Sequence, residues 1–233
     1  NPYVGQGFTI KMSFYVPESN ASEMIFDRND LQIPELIQQL RPRNCWEENF
    51  GLQAERVLKV QFRGKKYTEY RFFQASYFSL DNHVIRIPSL TFRVKQVLPG
   101  KGLERQMKNN YFKSAPLVII PKSLPMHPLA GKVPVGDYHL EEAVSNKAIK
   151  TGQPITYQAS VVGDGNSILW DSKEVESDYF VDFSPISTER SVVPIRDQMI
   201  GYNTDVFKIV PEQPGQISMG KYFKWIFINT KKE

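Results

Sequence analysis

Apolar and polar side chains alternate along most of this chain with a period of two. In Phe8-Thr-Ile-Lys-Met-Ser-Phe-Tyr-Val16 the even positions are apolar, Thr9, Lys11 and Ser13 are polar, and Tyr15 is amphipathic. Successive strand residues point to opposite faces of a sheet, so this alternation predicts a half-buried strand. Leu90-Thr-Phe-Arg-Val94 repeats it, and the 154–161 strand buries Ile155, Tyr157, Ala159 and Val161. The last alternating stretch, Lys221 to Ile228, sets Phe223, Trp225 and Phe227 on one side, and Trp225 is expected in the core.

Further strands are predicted around 56–62, 67–78, 84–87, 116–120, 138–144, 179–183 and 205–210. One helix is predicted, opened by Asn29 or Asp30, running through Leu40 and ended by Pro42. Lys101 to Tyr111 is a weaker candidate for a second helical turn. The segment 67–78 crowds Tyr67, Tyr70, Phe72, Phe73, Tyr77 and Phe78, which are expected mostly in the core.

The sharpest break lies at Pro121-Lys-Ser-Leu-Pro-Met-His-Pro128, where three prolines in eight residues forbid both helix and central strand. The halves on either side end alike. Tyr67–Val94 reads as strand, turn, short strand Val84–Ile87, break, strand. Val206–Ile228 reads as strand, turn at Pro211–Gly215, short strand Gln216–Met219, break, strand. The expected fold is therefore all-β: two immunoglobulin-like β-sandwich domains in tandem, with a short helix inserted in the first. The domains are placed at 1–123 and 137–233, joined by a Pro-rich linker over 124–136.

Composition narrows the function classes. The net charge is +4, with cations spread along the chain rather than gathered on a stripe interleaved with aromatics, so no nucleic-acid partner is expected. Basic clusters such as Arg63-Gly-Lys-Lys66 read as a solvated hairpin tip. The single cysteine, Cys45, rules out an internal disulfide and a Cys-based zinc site. The longest apolar runs, such as Pro116–Pro121, are far too short to span a bilayer. A first residue of Asn1 points to a trimmed or mature fragment.

Each candidate motif for chemistry has a simpler structural reading. Val161-Val-Gly-Asp-Gly-Asn-Ser167 lacks the lysine of a phosphate cradle and the carboxylates of a calcium loop. Its glycines suit an inter-strand turn, where residues that tolerate positive φ are needed. Cys45 has no local base, since His83 sits at a hairpin tip, His127 in the linker and His139 on a strand. Asp137 and His139 share a strand face but lack a third ligand. The expectation is a non-enzyme with no catalytic residues, no metal site and no cofactor.

Several motifs, in order, resemble the sandwich domains of the BatD oxygen-tolerance (aerotolerance) family. They are Gly131–Leu140, Ile149-Lys-Thr-Gly-Gln-Pro-Ile-Thr156, the turn Val162-Gly-Asp-Gly-Asn166, and Val206-Phe-Lys-Ile-Val-Pro-Glu-Gln-Pro-Gly215. In the first half, Val4–Phe8 and Tyr67–Ala75 with Ile87-Pro88 are similar to the family's opening strand and closing hairpin. The resemblance implies a soluble part of a protein held on the periplasmic side of the inner membrane by an anchor outside this sequence. It also implies Bat-type partners carrying von Willebrand A domains, and a link to aerotolerance or envelope stress. Such a partner binds through a metal that takes an outside carboxylate, so Asp164 or Glu212 is the expected donor, and Asp164, Asn166 and Glu212 mark the expected contact loops. The alternative is a secreted carbohydrate- or surface-binding sandwich using Trp46, Trp170 or Trp225 as platforms.

Overall fold

The computed structural model describes residues 1–20, 22–51, 56–98, 106–165, 181–219 and 226–231. The chain is all-β, with one helix among the described residues. It divides into two compact units. One holds Asn1, Phe8–Tyr77 and Asn82–Pro121; the other holds Pro2–Gly7, Phe78–Asp81 and Lys122–Glu233.

The elements of the first half are, in order, β1 (Gly7–Pro17), β2 (Met24–Ile25), α1 (Asn29–Leu40), β3 (Cys45–Asn49), β4 (Arg56–Phe62), β5 (Lys65–Ser79), β6 (Ile85–Ile87), β7 (Thr91–Val97), β8 (Met107–Lys113) and β9 (Leu117–Ile119). One sheet runs β1-β5-β3 with β4 added to β5; another runs β2-β7-β8, and β6 pairs with β9. The sheets pack face to face because the even residues of β1 and the aromatics of β5 point at β7. Phe14 lies 5.7 Å from Phe92, Phe72 lies 5.2 Å from Phe92, and Phe26 fills the space at 5.5 Å from both Phe14 and Phe72. Such tilted and edge-on pairs add to area burial, and the aromatic crowd on β5 is core as its sequence suggested. The helix closes this core with Ile33, Leu36, Ile37 and Leu40, one face at helical spacing. Arg41 leaves the helix in extended geometry just before Pro42, as a residue preceding proline should.

The second half contributes β10 (Val135–Gly136), β11 (Tyr138–Val144), β12 (Ile155–Gly163), β13 (Val181–Ile195), β14 (Gln198–Pro211) and β15 (Ile228–Asn229). An antiparallel sheet runs β11-β12-β14-β13, and β10 pairs with β15 in parallel. The register sets Ile155 opposite Ile209 and Tyr157 opposite Phe207, so one face of the sheet carries the core of Tyr157, Ala159, Phe207 and Ile209. Tyr138 and Val161 form a second cluster, with the Phe227 ring edge-on to Tyr138 at 5.3 Å.

Several sequence expectations change. Residues 107–113 form β8, not helix; every residue of it but Asn110 is exposed, so no alternation marks it. The 179–183 strand is the start of a long β13, whose Pro185 and Pro194 are tolerated because the strand lies at the sheet's edge among the described residues. β3 carries no pattern that predicts it. Residues 216–218 run without strand pairing, so the short strand expected at Gln216–Met219 is not found. Trp225 and its neighbours 220–224 lie outside the described residues.

Candidate functional site

The 163–165 turn is held by packing. Neither Gly163 nor Gly165 has positive φ. A Cβ on Gly163 would lie 2.2 Å from Tyr138 Cδ1 and 2.5 Å from the Asp137 carbonyl; one on Gly165 would lie 2.2 Å from Tyr138 Oη and 2.3 Å from the Val135 carbonyl. The glycines are therefore required by the close approach of the Tyr138 ring and of backbone, which corrects the turn-conformation argument from sequence. Asp164 pins the same turn, accepting a 2.8 Å hydrogen bond from the Asp137 amide at Oδ1. The other side of Asp137 is closed by an ion pair with Lys231.

The expected contact residues thus have different fates. Asp164 is half-buried and committed to the Asp137 amide. Glu212 is exposed on the turn that leaves β14. Asn166 lies outside the described residues. Beside the Glu212 turn a groove of about 1090 Å³ opens in the second unit, floored by Ile155, Ile209 and Met219. Tyr157 lines it and donates a 2.5 Å hydrogen bond to Glu142.

Cys45 starts β3 and packs against the core of the first unit, as a small hydrophobe does. His83, His127 and His139 are exposed; His139 meets Glu141 at 3.1 Å, and the His127 Nδ1 accepts the Leu129 amide. Among the described residues no group of three His, Cys, Asp or Glu is placed to hold a metal. Of the three tryptophans, Trp46 is exposed, its indole N–H donating to Glu48 at 2.6 Å. Trp170 and Trp225 lie outside the described residues.

Three phenols are pushed well above their ordinary range, in each case first by burial. Beyond burial, Glu47 acts on Tyr77, Asp164 on Tyr138 and Glu142 on Tyr157. Such groups keep their protons in the folded chain while unfolded tyrosine loses them near pH 10, so stability is full below about pH 10 and falls above it. In an ultraviolet titration these three tyrosines should ionise only as the chain unfolds.

The feature that sequence reasoning missed is the open flank of the first unit. Tyr111 is 64% exposed and Met107 55% exposed on β8, a strand that pairs only with β7 among the described residues. Beside it a cleft of about 300 Å³ lies between Phe112 and the end of β1, lined by Phe14, Tyr15, Val16 and Met24. Phe112 stands edge-on to Phe14 at 4.9 Å. The sequence Lys-Asn-Asn-Tyr-Phe-Lys offers no periodicity; its only signal is a pair of aromatics between lysines.

The chain matches no protein-family model, no curated protein and no solved structure.

Proposed function

We propose that this chain is a non-enzymatic protein-interaction module, a β-layered body that docks partners through its edges and loops. One observation carries the reading: β8 holds Tyr111 and Met107 out to solvent on an edge strand beside an apolar cleft. Apolar side chains held out on an edge strand mark a binding surface, and tyrosine is among the residues that dominate interface energetics. The finer reading follows the resemblance to the BatD family. In it the chain acts on the periplasmic side of the inner membrane, assembling von Willebrand A partners in aerotolerance or envelope stress.

Within that reading Glu212, rather than Asp164, offers its carboxylate to the partner's metal. It is exposed on a turn, whereas Asp164 is half-buried and already has its Oδ1 bonded to the Asp137 amide. Affinity purification of the tagged protein from native membranes tests the proposal. A von Willebrand A protein should co-purify with the wild type, and its recovery should fall at least tenfold with Glu212→Ala. Recovery of no such protein overturns the finer reading; equal recovery by both removes Glu212 from it.

A further inference from the structure

The ladder between β7 and β8 shows which backbone groups of β8 are free among the described residues. The amides of Leu98 and Ser114 donate to the carbonyls of Gln106 and Leu90, each at 2.9 Å. With the register Thr91 to Lys113 through Val97 to Met107, the hydrogen-bonded positions of β8 are therefore its even residues. The amides and carbonyls of Met107, Asn109, Tyr111 and Lys113 point away from β7. These form a row of donors and acceptors that an added strand would satisfy.

Side chains sort by the same parity. Lys108, Asn110 and Phe112 lie on the face of β8 that turns toward β1, since Phe112 meets Phe14 and Asn110 donates to Gln96 at 2.6 Å. A residue opposite Phe112 in an added antiparallel strand would form a non-hydrogen-bonded pair, the kind in which side chains come closest. It would enter the cleft of about 300 Å³ lined by Phe14, Tyr15 and Met24. Among the described residues the charge beside this edge is one-sided. Lys108 and Lys113 are exposed and β8 has no acid, while the Arg93 and Lys95 of β7 are already paired with Asp27.

We propose that the free edge of β8 takes an extended acidic segment of a partner protein, added as an antiparallel strand. An apolar residue fills the cleft at Phe112, and acidic residues face Lys113 and Lys108. The parity fixes the pattern as acid, apolar, three residues of any kind, acid. The inference rests on the chain being an interaction module but not on a von Willebrand A partner, so the two fail in separate experiments.

The probe is the capped peptide Ser-Glu-Phe-Thr-Val-Thr-Glu-Ser, titrated into the whole chain by calorimetry. Saturable binding is expected, and replacing both glutamates by lysine should abolish it. Asn109→Pro removes one outward amide while leaving the β7 ladder intact, and should weaken binding at least tenfold with an unchanged urea midpoint. Should that variant fail to fold, the double change Lys108→Glu and Lys113→Glu decides: it should lose the acidic peptide and gain the lysine version. No saturable binding by the wild type overturns the proposal, as does equal affinity in the variants. A concentration-dependent dimer that the peptide cannot dissociate and that Asn109→Pro abolishes would also overturn it, making the occupant a second copy.

Discussion

Arg71→Leu is expected to destabilise the chain by about 3–5 kcal/mol, the range for stranding one partner of a buried ion pair. Glu69 and Arg71 are only 3% and 6% exposed. The guanidinium bonds Glu69 through Nε at 2.8 Å and through Nη2 at 3.2 Å, and Gln74 Oε1 through Nη1 at 2.8 Å. Ser13 donates to the same carboxylate at 2.7 Å. Without Arg71, Glu69 keeps only Ser13 as a close hydrogen-bond donor among these groups and must hold its charge out of water. Glu69→Leu should cost as much for the converse reason. The double change to two leucines should recover most of the loss, because it removes both buried charges together.

Acid gives a second reading of the same pair. Burial acts to raise the Glu69 pKa, but it is outweighed by the Arg71 and Ser13 hydrogen bonds and by the charges of Arg71 and Lys11, so the carboxyl sits below its ordinary range. The stability it contributes is therefore complete above about pH 4.5, the unfolded value, and is lost as pH falls through the lowered folded value. Urea midpoints measured from pH 7 down to pH 3 should fall less steeply in Glu69→Gln than in the wild type.

Gly163→Ala and Gly165→Ala should each cost about 3 kcal/mol or more, at the upper end of overpacking effects. The added methyl meets the Tyr138 ring in both, and it also meets backbone: the Asp137 carbonyl at 2.5 Å for residue 163 and the Val135 carbonyl at 2.3 Å for residue 165. Backbone cannot move aside as a flexible side chain can. Tyr138→Phe combined with Gly165→Ala should therefore relieve only the clash with the hydroxyl and recover part of the loss. Gly215→Ala is the control: nothing lies within 4 Å of its added Cβ, and the change should stay within about 0.5 kcal/mol. Equal urea midpoints for Gly163→Ala and Gly215→Ala would contradict the packing account.

These two sites show where the sequence was legible. Period-two strands with one buried face, such as β1 and β12, were read directly, because burial imposes the alternation. The helix was read from Asn29 or Asp30 at its start and Pro42 at its end. The Glu69–Arg71 pair was not legible, since two charged residues at alternate positions look the same whether their face meets water or is covered. The role of Gly163 and Gly165 was hidden for a related reason. A glycine needed for conformation and one needed for space are the same letter, and only the position of Tyr138 separates them. β8 escaped because all its residues but Asn110 stay exposed among the described residues, so no pattern is imposed on it. Of the two loop acids offered as metal donors, Glu212 stays exposed, but its difference from Asp164 depends on the Asp137 amide, which sequence does not place.

The central proposal is the docking of a von Willebrand A partner. Its most direct measurement is calorimetric titration of the whole chain with a purified Bat-type von Willebrand A domain in magnesium buffer. The account predicts saturable binding at about one-to-one stoichiometry that disappears on chelation of the metal. An isotherm indistinguishable from buffer dilution at hundred-micromolar concentrations would contradict it.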